Sequence, residues 1–188
     1  MEAFFVSTAL VAVAEIGDKT QLLALMLAAR YRRPVPIILG ILCATLANHA
    51  LAAWIGAAVA AWVGPDTMRW VLAATFIVMA GWCLIPDKAD EGPQAPRKAG
   101  AFLATLVAFF LVEIGDKTQI ATVALAARFQ SLAVVTLGTT FGMLIANAPV
   151  VLFGDAIAKR LPLHIVRIVA ALLFVALGVA AILMPAAR

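Results

Sequence analysis

The stretch Glu15–Arg30, EIGDKTQLLALMLAAR, returns as Glu113–Arg128, EIGDKTQIATVALAAR, at a constant offset of 98 residues. Seven identical residues in succession mark an internal duplication, and the repeated unit contains both acids and a base within an otherwise apolar run. The likeness continues more weakly downstream. Gly40 answers Gly138 and Gly56 answers Gly154, while Leu46-Ala47-Asn48 resembles Ile145-Ala146-Asn147 after a one-residue slip.

The surroundings of the repeat set its solvent. Of the 188 residues, 65% are apolar and 13% charged, and the mean hydropathy is +1.06, values of the membrane class. A soluble domain of this size could not hide so much apolar surface. The net charge of +4 does not indicate a nucleic-acid partner, because the basic residues sit in short runs between apolar segments rather than in a stripe. Cys43 and Cys83 lie in apolar segments without metal-ligand spacing and are expected to be buried small hydrophobes. Met1-Glu2-Ala3-Phe4 lacks the basic start of a signal peptide, so the first apolar run is expected to be a retained helix.

Apolar runs of roughly 17 to 25 residues, the length that crosses a hydrocarbon core, are expected at about 3–29, 35–61, 69–85, 101–127, 131–157 and 163–185. The polar stretch 86–100 separates them into two sets of three. Because three is odd, the second set enters from the opposite side. The expected fold is therefore an all-α membrane protein of six transmembrane helices in two inverted three-helix repeats. Residues 1–85 form the first repeat, 86–100 a cytoplasmic linker and 101–188 the second repeat, together one transport domain.

Loop charges orient this topology. Arg30, Arg32, Arg33, Lys88, Arg97, Lys98, Lys159, Arg160 and Arg167 fall on the side of loops 1-2, 3-4 and 5-6, against Arg69, Arg128 and Arg188 on the other. The positive-inside bias puts the first set in the cytoplasm and both termini outside. Trp62, Trp70 and Trp82 lie where interfacial belts are expected.

Glu15 and Asp18 lie about 18 Å from the respective ends of the first expected span, at the bilayer midplane, and Glu113 and Asp116 repeat the arrangement. A charged side chain there costs at least ~2.5 kcal/mol and requires a partner or a water-filled cavity. On a continuous helix, Glu15 and Asp18 would project from one face and grip one ion, with Gly17 permitting close helix approach or a local break. Convergence of the two motifs would gather Glu15, Asp18, Gln21, Glu113, Asp116 and Gln119 into an oxygen cage, with Thr20, Thr118, Asn48, His49 and Asn147 as secondary candidates, the last three equally read as polar contacts between helices. Such donors suit Ca²⁺, Mn²⁺ or Mg²⁺ and argue against Cu⁺. Four carboxylates with Lys19 and Lys117 leave a charge of −2, which one divalent cation or two protons would balance, so cation/proton exchange is expected. Alternatively, Glu15–Lys19 and Glu113–Lys117 form buried i, i+4 ion pairs that only fix packing. Asp155 and His164 are read as interfacial. No hydrolase or transferase constellation and no resident cofactor are expected.

The hexads Glu15–Thr20 and Glu113–Thr118 resemble the Glu-x-Gly-Asp-Lys/Arg-Ser/Thr signature of uncharacterized protein family 0016, the Gdt-type membrane proteins of the LysE-like transporter superfamily. The resemblance covers nearly the whole chain. It implies transport of Mn²⁺ or Ca²⁺ in exchange for protons, with Glu15, Asp18, Glu113 and Asp116 as the metal-binding acids. The short N-terminus and short linker depart from eukaryotic members, so a prokaryotic inner membrane is expected, with lipid and a divalent ion as partners and a homodimer as a further arrangement. The superfamily also suggests a different cargo, a small organic cation such as an amino acid, and a non-transporting membrane scaffold is the third reading.

Overall fold

The structure, a computed structural model, describes residues 1–85, 100–154 and 162–183. These are all-helical. The first half contains α1 (Glu2–Glu15), α2 (Lys19–Tyr31), α3 (Pro34–Trp62) and α4 (Pro65–Cys83). The second contains α5 (Ala101–Glu113), α6 (Lys117–Phe129), α7 (Leu132–Phe153) and α8 (Leu163–Leu183). The linker positions 86–99, together with Asp155, Lys159, Arg160 and Arg188, lie outside the described residues.

The expected continuous helices at 3–29 and 101–127 are each broken in two at the motif. Ile16 and Ile114 leave the helix in extended backbone, and Gly17 and Gly115 follow with φ of +81° and +77°. That left-handed region is open to glycine and strained for residues with a Cβ. Asp18 and Asp116 then start the next helix from the N-cap position, which short acidic side chains favour. Each resulting segment is 13 or 14 residues long, about 20 Å, and too short to cross a bilayer alone. Among the described residues, α3, α7 and α8 are by themselves long and apolar enough to do so. The α4 helix starts at Pro65, so Arg69 lies in its first turns rather than in a loop.

The distribution of side chains inverts that of a soluble domain. Met26, Trp54, Val78, Leu137 and Leu172 are exposed, whereas Ser7, Thr45, Asn48, His49, Thr139 and Asn147 are buried. Apolar surface outside and polar groups at helix interfaces are the pattern of a protein solvated by lipid. Cys83 is buried as expected, but Cys43 is exposed. It shares the outward face of α3 with Leu39 and Leu46, at helical spacing. His164 is exposed in the first turn of α8.

The two halves interlock. The most extensive packing is of α1 on α7, α4 on α8, and α3 on α5, α6 and α7, so each motif helix is housed mainly by the other half. Small residues allow these approaches. A Cβ added at Gly40 would meet Thr105 Cβ at 2.7 Å and Phe102 O at 2.8 Å; one added at Gly138 would meet Phe4 O at 2.8 Å and Ser7 Cβ at 3.0 Å. Partners as well as glycines are thus separated by 98 positions, so the repeat runs through α3 and α7 without the one-residue slip, and His49, not Asn48, occupies the position of Asn147.

Candidate metal centre

Both breaks place a glutamate on the last turn of one helix and an aspartate at the start of the next. The C-terminal end of α1 carries partial negative charge and unpaired carbonyls, which favours cations, and Glu15 adds a full charge to it. Asp18 and Asp116 make no side-chain capping bond to their own helices, which leaves their carboxylates to the space between the halves.

There the acids meet. One carboxylate oxygen from each of Glu15, Asp18 and Asp116 falls within a 4.8 Å cluster, and all three side chains are buried. Oxygens bound to one Ca²⁺ at about 2.3–2.6 Å lie no more than about 5 Å apart, so the trio has the dimensions of a shared ion site. Oε1 of Glu15 and Oδ2 of Asp116 make no hydrogen bond among the described residues. Glu15 Oε2 accepts a hydrogen bond from Thr20 Oγ1. Glu113 is fully buried and within electrostatic range of Glu15, Asp116 and Lys19, and His49 Nε2 lies 3.5 Å from its Oε2.

The lysines cross between halves. Lys19 Nζ lies 3.0 Å from Asp116 Oδ1, and Lys117 Nζ lies 3.2 Å from Asp18 Oδ1. The helix breaks between Glu15 and Lys19, and between Glu113 and Lys117, so neither acts as an i, i+4 pair on a continuous helix. The projection of Glu15 and Asp18 from one helix face is corrected for the same reason: they belong to different helices.

Gln21 and Gln119 brace the breaks. Gly17 N donates to Gln21 Oε1 at 3.0 Å and Gly115 N donates to Gln119 Oε1 at 2.7 Å, each satisfying an amide that the turn would leave unpaired. Gln21 Nε2 also donates to Ala146 O at 3.0 Å, tying the first motif to α7. Asn48 Nδ2 donates to Phe110 O at 3.0 Å and Asn147 Nδ2 to Met143 O at 3.1 Å, and the Oδ1 atoms of both asparagines make no hydrogen bond among the described residues. The buried Thr118 hydroxyl lies within hydrogen-bonding reach of Glu15. The glutamines' bracing role follows from their i+4 spacing to glycine, a signal present in the sequence once a break is assumed.

The centre is closed unequally. Against Gly17, Asp18 and Lys117, residues of α8 including Val166 and Arg167 leave a cavity of about 10 Å³, the room of one water. At the second break a Cβ on Gly115 would meet nothing within 4 Å among the described residues, and Ile114 is exposed.

Comparison with known proteins agrees with this chemistry. The family model described as "Divalent cation/proton antiporter GDT1" matches residues 3–91 and again residues 101–187. A Vibrio cholerae protein named "Putative manganese exporter" is 54% identical over 181 residues, covering 96% of this chain and 90% of the relative. "GDT1-like protein 4" of Oryza sativa subsp. indica is 27% identical over 210 residues, covering 98% of this chain and 74% of the relative. "GDT1-like protein 5" of Arabidopsis thaliana is 26% identical over 223 residues, covering 98% and 97%. No solved structure matches the chain. With both halves matched by one family model and more than half of the aligned residues shared with a relative of nearly the same extent, the chain belongs to the GDT1 family of divalent cation/proton antiporters, which are membrane transporters and not enzymes.

Proposed function

We propose that the protein exchanges Mn²⁺ for protons across a prokaryotic cell membrane, which it spans six times as two inverted repeats, 1–85 and 101–188, joined by a cytoplasmic linker at 86–100. The α1–α2 and α5–α6 pairs each serve as one interrupted span, the construction by which transporters place helix ends and polar backbone at midplane. Both termini face outward, as the loop charges favour.

The carrying observation is the crossed pairing of Lys19 with Asp116 and Lys117 with Asp18 around three clustered acids. Each lysine offsets an aspartate of the other half, so the charge of −2 resides on Glu15 and Glu113. In a low-dielectric interior that charge must be compensated, by one divalent cation or by two protons, and alternation between those loads is exchange. Glu15, Asp18, Glu113 and Asp116 supply the principal ligands, and the side-chain oxygens of Asn48, Asn147 and Thr118 complete the cage, while Gln21 and Gln119 hold the breaks that shape it. Manganese as cargo is supported by the name of the 54% identical Vibrio cholerae relative. The cavity of about 10 Å³ beside Asp18 is far below the ~300 Å³ of typical small-molecule sites, which disfavours an organic cation.

The repeats also differ as two sides of an alternating-access carrier would. A Cβ on Gly56 would meet Val123 O at 2.1 Å and Ala126 Cβ at 3.1 Å, so α3 and α6 are sealed together. Among the described residues the equivalent Gly154 would meet nothing within 4 Å and borders a cavity of about 470 Å³ with Leu25, Ala28, Ala29 and Val151. Leu25 and Ala28 are the 98-residue counterparts of Val123 and Ala126, so the two equivalent contacts differ among the described residues.

In liposomes with an imposed pH gradient, wild type is expected to carry Mn²⁺, and Asp18→Asn or Asp116→Asn to abolish the flux. Metal flux indifferent to both substitutions overturns the assignment.

A further inference from the structure

The acids and lysines of the two motifs are duplicated residue for residue, but their surroundings are not. At the position of Asn147 in α7, α3 carries His49. The chain has two histidines, and the other, His164, is exposed at the start of α8. His49 is fully buried, and neither Nδ1 nor Nε2 has a hydrogen-bond partner among the described residues. A structural histidine in a core ordinarily donates one ring N–H to a carbonyl or side-chain oxygen. This ring instead turns Nε2 toward Glu113 Oε2 at 3.5 Å, and both Glu113 oxygens likewise lack hydrogen bonds among the described residues. Asp116 of the carboxylate cluster lies within electrostatic range of the ring.

Two buried donors facing each other without a hydrogen bond have the arrangement of ligands prepared for a common cation. Donors bound to one small divalent ion at about 2.0–2.2 Å lie no more than about 4.4 Å apart, which 3.5 Å satisfies. We propose, resting on the divalent-cation reading above, that His49 is a specificity-determining ligand. With Glu113 it forms an imidazole–carboxylate subsite beside Glu15, Asp18 and Asp116, so that the transported ion exchanges one oxygen donor for nitrogen. Ca²⁺ and Mg²⁺ take oxygen ligands, whereas an imidazole nitrogen binds first-row divalent ions with an affinity that rises from Mn²⁺ through Fe²⁺ to Cu²⁺, so Mn²⁺ gains least among them from the exchange. The subsite therefore favours a first-row transition divalent cation over Ca²⁺ and Mg²⁺. Substitution by asparagine reproduces what the second half holds at the same position and removes the nitrogen preference while keeping a polar side chain of moderate size.

The test uses the full chain in two measurements. In detergent with Mn²⁺ added, electron spin echo envelope modulation of the bound ion is expected to show the coupling of a directly coordinated ¹⁴N, which is lost in His49→Asn. In liposomes, His49→Asn is expected to lower the ratio of Mn²⁺ to Ca²⁺ flux about tenfold while Ca²⁺ flux persists. Bound Mn²⁺ without nitrogen coupling in wild type overturns the proposal and leaves the divalent-cation reading standing, as does an equal loss of both fluxes in the variant. Failure of wild type to bind or carry any divalent cation overturns both. If His49→Asn does not fold, the wild-type spectrum alone decides.

Discussion

Lys117, from the second motif, places Nζ 3.2 Å from Asp18 Oδ1 of the first, and both side chains are buried. The relationship joins the two halves at the point where uncompensated charge is least tolerated. Its twin, Lys19 with Asp116, is looser in surroundings, since the Lys19 side chain is 37% exposed. Removing one partner of a buried ion pair costs about 3–5 kcal/mol because the other charge remains. Lys117→Met is therefore expected to lower the melting temperature in detergent markedly more than Lys19→Met. Combining it with Asp18→Asn is expected to recover most of the loss in stability but no transport.

The hydrogen bond from Thr20 Oγ1 holds one oxygen of Glu15 in place. Hydrogen bonds to charged groups contribute about 1.5–3 kcal/mol. Thr20→Ala is expected to raise the Mn²⁺ concentration for half-maximal flux by roughly tenfold or more, and Thr20→Ser, which keeps the hydroxyl, to stay near wild type. Equal behaviour of the two variants in a flux titration would count against the bond.

Gln21 serves two backbone groups, Gly17 N and Ala146 O, and is buried, whereas the bond of Gln119 to Gly115 N is exposed. Each typical bond contributes about 1 kcal/mol, and a buried group left unpaired costs about 1–3 kcal/mol more. Gln21→Ala should accordingly reduce thermal stability by more than Gln119→Ala. Because the proposed ligands are the acids, the Mn²⁺ affinity of the folded Gln119→Ala protein, measured by calorimetry, should change little.

Glycine replacement separates the sealed gate from a glycine in open space. At Gly56 a Cβ would collide with the Val123 carbonyl oxygen at 2.1 Å, a backbone atom that can move only with its helix, whereas at Gly81 it would meet nothing within 4 Å among the described residues. Gly56→Ala is expected to loosen α3 from α6, lowering the melting temperature and raising the labelling of a cysteine placed at Ala126. Gly81→Ala, in the last turn of α4, is expected to add up to roughly 0.5 kcal/mol of stability from backbone entropy, less than in mid-helix.

Much of the molecule is legible in the chain itself. Composition places it in lipid, since 65% apolar residues exceed what a fold of this size can bury, and the repeated hexad identifies the acids and the family. These features depend on residue type and spacing, which a sequence states directly. Partner choice depends on packing. Spacing along one helix suggested Glu15 with Lys19 and Glu15 beside Asp18. A glycine at positive φ instead ends the helix, and interlocked halves bring Lys117 to Asp18 and His49 to Glu113. Which side chains meet was decided by α3 and α7 lying against α5 and α1, contacts between residues about 65 to 130 positions apart, as for Gly40 with Thr105 and Thr8 with Gly138, for which local periodicity carries no information.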